Sequence, residues 1–134
     1  MTGVVDIYRQ TDKEVWSGRV DDEADPATFR FHQMVQALGI GELTGPVKNG
    51  FGIIGFASDE GVRRNKGRQG AAHAPDAIRR FLAKLPYLMD GETIDTGNVH
   101  CEGEALEMAQ AELGRHIKTI FQAGATPIIF SGAV

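Results

Sequence analysis

The sequence predicts an α/β fold built on a parallel sheet, and three observations carry that prediction. Phe51–Ala57 is a short, nearly continuous apolar run bounded by Gly50 and a polar stretch, the pattern of a strand buried on both faces. In residues 102–123, Leu106, Ala109, Leu113, Ile117 and Ile120 recur at steps of three and four, the spacing of an amphipathic helix. From residue 51 onward the patterns alternate strand, helix, strand, helix, strand, an order that calls for parallel pairing through right-handed crossovers.

The chain divides into an arm with the first elements, residues 1–50, and a β-α-β-α-β unit, residues 51–134, within one domain. The first 26 residues are polar, and Asp21, Asp22, Glu23 and Asp25 form an acidic cluster ending at Pro26. Clustered like charges repel and resist burial, so a solvated loop is expected there. Trp16 is different: a lone Trp in a polar segment is expected to anchor the arm onto the domain. Over residues 28–38, Phe31, Met34, Val35 and Leu38 fit the helical template, which predicts a helix stopped by Gly39 and Gly41. Gly45-Pro46 and Asn49-Gly50 mark turns before the next element.

Phe51–Ala57 is expected to be a central parallel strand. Pro75 at a first helical position, Asp76 in the first turn and apolar Ile78, Phe81, Leu82 and Leu85 describe a helix that Pro86 ends. Residues 92–96 read as the next strand, closed by Gly97-Asn98. The long amphipathic helix follows, capped by Gly124, and residues 127–130 form a third strand. An apolar parallel strand left at an open edge recruits partners, so a homo-oligomer is expected.

Composition narrows the function. A 134-residue chain that is 42% hydrophobic suffices for one domain. A net charge of −4 argues against a nucleic-acid partner, because phosphates need a basic face. Cys101 is the single cysteine, so nothing requires an oxidising compartment, and a cytoplasmic location is expected. The start lacks a basic stretch followed by an apolar one, and no apolar run approaches a spanning length, so neither export nor a membrane partner is expected.

Chemistry-bearing residues concentrate between the first strand and the first long helix. Asp59, Glu60, Arg63, Arg64, Asn65, Lys66 and Arg68 fall on a strand-to-helix loop, where open α/β sheets bind their ligands. Guanidinium forks grip carboxylates and phosphates bidentately, so the cluster fits an anionic ligand. The plainer reading is a solvated loop whose arginines pair with Asp59 and Glu60. Gly55, Gly61, Gly67 and Gly70 match no phosphate-cradle spacing and are expected to serve backbone turns. His73, His100, Cys101 and His116 lack zinc-site spacing, and the His100-Cys101-Glu102 run reads as a helix entry.

The stretch Asp59-Glu-Gly-Val-Arg-Arg-Asn-Lys-Gly-Arg-Gln-Gly-Ala-Ala, followed by Ala-Pro-Asp-Ala-Ile-Arg79, resembles the first long loop of the ureohydrolases. Its Arg-Arg-Asn-x-Gly-Arg core is most similar to the formimidoylglutamases, as are Trp16-Ser-Gly-Arg-Val-Asp21 and Arg30-Phe-His-Gln33. The resemblance implies a three-layer α/β/α domain, of which this chain is the amino-terminal part. It further implies hydrolysis of N-formimidoyl-L-glutamate to L-glutamate and formamide, with agmatinase-type or arginase-type guanidino hydrolysis as the alternative. Arg63, Asn65 and Arg68 are then the substrate-binding residues for a small molecule carrying carboxylates. Two manganese ions and their activated hydroxide belong to the family pattern. Their His and Asp ligands are expected beyond residue 134, so no catalytic or metal-binding residue is expected within it. From a different class, a non-catalytic small-ligand or interaction module keeping the half-sheet and the basic loop is the remaining alternative.

Overall fold

The computed structural model describes residues 7–47, 49–59, 70–101, 103 and 105–132. Among these residues five strands form one sheet: β1 (Tyr8–Arg9), β2 (Gln36–Ala37), β3 (Phe51–Ala57), β4 (Thr93–His100) and β5 (Thr126–Ser131). Among the described residues three α-helical segments accompany them: α1 (Phe31–Met34), α2 (Ala74–Ala83) and α3 (Leu106–Gln122). β3 is central, paired in parallel with β4 on one side and β5 on the other. Its burial on both faces explains the unbroken apolar run.

The helices cover opposite faces, as expected when two right-handed crossovers leave β3 and β4 in opposite directions along the sheet. Ile54, Ile94 and Val99 meet Ala109 and Ile120 of α3, whereas Ile53 turns the other way to meet Trp16, Ala83 and Leu82 of the α2 layer. Neighbouring residues of a strand alternate faces, so Ile53 and Ile54 serve separate cores. The result is the expected three-layer α/β/α arrangement. Gly124 closes α3 at φ +88°, the left-handed conformation a glycine cap supplies.

The parallel pairing of β4, β3 and β5 is as expected, and the structure departs from the sequence expectations in several details around it. The helix expected over 28–38 is a single turn, α1, after which Val35 extends at ψ 130° and β2 pairs with β4. Unpaired backbone groups along β4 reward a strand there more than periodicity rewards a helix. The sheet is also mixed, because β1 runs antiparallel to β4, placing Tyr8 opposite Val99 and Arg9 opposite Asn98.

The strand expected to close at Gly97-Asn98 instead continues to His100 through a bulge. Ile53 pairs with Asp95 but Gly55 pairs with Asn98, so β4 carries one extra residue, and Gly97 absorbs it at φ +96°. His100 therefore ends a strand rather than opening a helix. Finally, the buried stripe of α2 is Pro75, Arg79 and Ala83, while Phe81 stands 70% exposed. The apolar spacing identified the helix but not the face that it buries.

Candidate functional site

The strand order β4-β3-β5 places a topological switch between β3 and β5, since the chain leaves β3 toward β4 and then crosses back to reach β5. The crevice outside their carboxyl ends lies beyond Ala57 and Ser131. Such a crevice is where open α/β sheets seat their ligands, because loops diverge there and leave backbone groups unpaired.

Three pieces of chain meet at this crevice. After β3, Asp59 Oδ1 accepts hydrogen bonds from the backbone N–H of Gly70 at 2.6 Å and of Ala72 at 3.2 Å. Those amides begin a short 3-10 turn, Ala71–His73, that runs directly into α2, with Pro75 in the helix's first turn. The end of β5 closes in from the other side: a Cβ on Gly132 would lie 2.5 Å from the Ala71 Cβ, so only glycine permits the approach. The Gly70 N–H, with help from the Ala72 N–H, holds the Asp59 carboxyl below its ordinary value of 3.8. Asp59 thus has backbone amides among its partners; the loop arginines that the plain reading of the sequence paired with it lie outside the described residues.

Arg63, Asn65 and Arg68 lie outside the described residues, as do Glu60, Arg64 and Lys66. The described ends of their segment, Asp59 and Gly70, stand at the β3/β5 crevice.

Behind the crevice lies a polar cluster that sequence reasoning missed. Arg79 is fully buried and uses all five of its N–H groups: Nε and Nη2 donate to the two oxygens of Asp95 at 2.9 and 3.0 Å. Nη2 also reaches the Gly97 carbonyl at 2.9 Å, and Nη1 donates to Asn98 Oδ1 at 2.7 Å and Asp76 Oδ1 at 3.2 Å. Asp95 accepts two further bonds, from Trp16 Nε1 at 2.7 Å and from the Gly97 N–H at 3.0 Å. The bulge makes this possible, because residues 95 and 98 of a regular strand would face opposite sides of the sheet. Arg79 has no donor left for a ligand and is structural. A signal did exist: an Asp within an otherwise buried strand and an Arg four residues after a helix-starting Pro each demanded a partner.

The other candidate ligands do not converge. His73 is exposed on the 3-10 turn, His100 and Cys101 lie at the end of β4, and His116 sits on α3. His116 packs against Tyr8, ring centroids 5.1 Å apart, with Nε2 3.0 Å from Glu112 Oε2. Among the described residues, no three His, Cys, Asp or Glu side chains gather where they could hold a metal ion. These residues therefore do not fit the metal centre that the resemblance implies. No described helix is long and apolar enough to cross a membrane.

The sequence model of the arginase family matches residues 49–133, from β3 through the end of β5. The chain belongs to the arginase family. This family is generally metal-dependent. Curated relatives agree with the match. The chain is 44% identical over 128 residues to the formimidoylglutamase of Geobacillus sp. (strain WCH70), covering 94% of this chain and 39% of that protein. It is 43% identical over 121 residues to the formimidoylglutamase of Chromobacterium violaceum, covering 90% of this chain and 38% of the relative. It is 37% identical over 128 residues to that of Aeromonas salmonicida, covering 96% and 40%. The chain spans about two fifths of the length of these relatives.

Proposed function

We propose that this chain supplies the substrate-recognising part of a formimidoylglutamase. In that reaction water adds to the formimidoyl carbon, the bond from that carbon to the glutamate nitrogen breaks, and the nitrogen takes up a proton. The products are L-glutamate and formamide. The observation that carries the reading is the 44% identity over 94% of the chain to a formimidoylglutamase, in a fold whose switch-point crevice meets both ends of the basic segment.

In this reading Arg63 and Arg68 grip the carboxylates of the glutamate portion, and Asn65 donates a further hydrogen bond. Manganese is the proposed ion of the whole enzyme, where it would supply activated water. Its ligands are placed outside these residues, so no step is assigned to it here. The protein is further proposed to act in the cytoplasm and to self-associate.

Calorimetric titration of N-formimidoyl-L-glutamate, L-glutamate and agmatine into the chain tests the reading. Binding of the two carboxylate-bearing ligands, weakened by Arg63→Ala and by Arg68→Ala, is expected. A preference for agmatine would overturn it in favour of a guanidino substrate. Tight uptake of two manganese ions by these residues would overturn the placement of the metal ligands.

A further inference from the structure

We infer that Asp59 is a positioning residue for ligand binding at the β3/β5 crevice, an inference that rests on the crevice being the binding site proposed above. One carboxylate oxygen ties the amides of Gly70 and Ala72 to the end of β3. The same turn is the surface on which β5 ends, through the contact of Gly132 with Ala71. Asp59 therefore sets the spacing of three chain segments at once: the end of β3, the entry to α2 and the end of β5.

The chemistry suits this role better than direct binding. A carboxylate facing a carboxylate-bearing ligand would repel it, whereas a carboxylate whose oxygen is taken up by backbone N–H groups has its charge offset locally. Asp59 lies outside both hydrophobic cores, so its removal is expected to change the crevice and leave global folding in place.

The experiment compares the whole chain with Asp59→Ala and Asp59→Asn, measuring amide hydrogen exchange and L-glutamate affinity on the same samples. Gly70 and Ala72 are expected to exchange about fivefold faster or more in Asp59→Ala, with Asp59→Asn between, since the amide oxygen still accepts. Amides of Ile54 and Val99 keep their wild-type rates. L-glutamate affinity is expected to fall in the same order as exchange rises. Unchanged exchange at Gly70 and Ala72, or unchanged affinity despite faster exchange, overturns the inference. Failure of the wild-type chain to bind L-glutamate would defeat the dicarboxylate reading, and this inference with it. Binding that ignores Asp59 defeats the inference alone.

Discussion

The two sides of the sheet solve the same problem in opposite ways. Beyond β4, the arm lays β1 and β2 along the strand and sends Trp16 inward to a buried, fully hydrogen-bonded ion pair. Beyond β5, no strand pairs among the described residues, and Ile129 stands 46% exposed. On the α2 face an apolar hollow of about 280 Å³ opens between Phe51, Ile78, Leu82, Ile128 and Phe130. One side is closed by directional polar bonds, the other presents non-directional apolar surface. The difference teaches where specificity resides among the described residues: the directional bonds around Asp95 admit one geometry, whereas apolar contact at β5 does not by itself fix one.

The largest effect is expected from breaking the ion pair. Arg79→Ala leaves Asp95 charged and buried without its main partner, which is expected to cost about 3–5 kcal/mol in urea unfolding. Trp16→Phe keeps the ring packing but removes one donor from Asp95, and is expected to cost about 1–3 kcal/mol. A loss under half a kcal/mol, as is typical of exposed sites, would show that the arm is held by β1 and β2 alone.

On the open side, Ile129→Lys is expected to alter unfolding free energy by no more than about 0.5 kcal/mol. In sedimentation it should shift any self-association toward monomer, because edge lysines oppose strand pairing. Unchanged association would place the contact elsewhere. The smallest effect concerns Asp21 in the arm, which pairs with Arg30 at 3.1 Å and Arg19 at 2.7 Å. The Arg30 hydrogen bond holds its carboxyl below the ordinary 3.8. A depressed carboxylate stabilises the fold above its unfolded value, and that contribution disappears as pH falls through the folded one. Arm resonances near Asp21 should therefore titrate below 3.8, and Arg30→Gln should move the midpoint upward.

Much of the fold was legible because its signals are local. β3, α2, α3 and β5 declare themselves within a few residues through apolar runs, periodic spacing and the Pro and Gly that bound them. Trp16 declared itself by contrast with its polar surroundings. What escaped depends on partners distant in sequence: Trp16 and Asp95 are 79 positions apart, and Arg79 and Asp95 are 16. The two-residue strands β1 and β2 carry no period of their own and exist because β4 needs covering. The strand and the helix that flank the basic segment were readable from the strand-loop-helix order. The hydrogen bonds of Asp59 were not, since its amide partners lie 11 and 13 residues onward, outside the span of any local capping motif.

The bulge at Gly97 has a consequence for chain length. Deleting Gly97 would leave Asp95, Asn98 and Val99 on the faces they now occupy, because a regular ladder alternates them in the same way. The sheet could therefore do without this residue. The ion pair would lose two supporting bonds, since Gly97 provides the carbonyl that accepts from Arg79 Nη2 and the N–H that donates to Asp95. A version of the chain one residue shorter at this point is expected to have exchanged Arg79 and Asp95 for an apolar pair, so that a gap in an alignment and two substitutions elsewhere would be a single event.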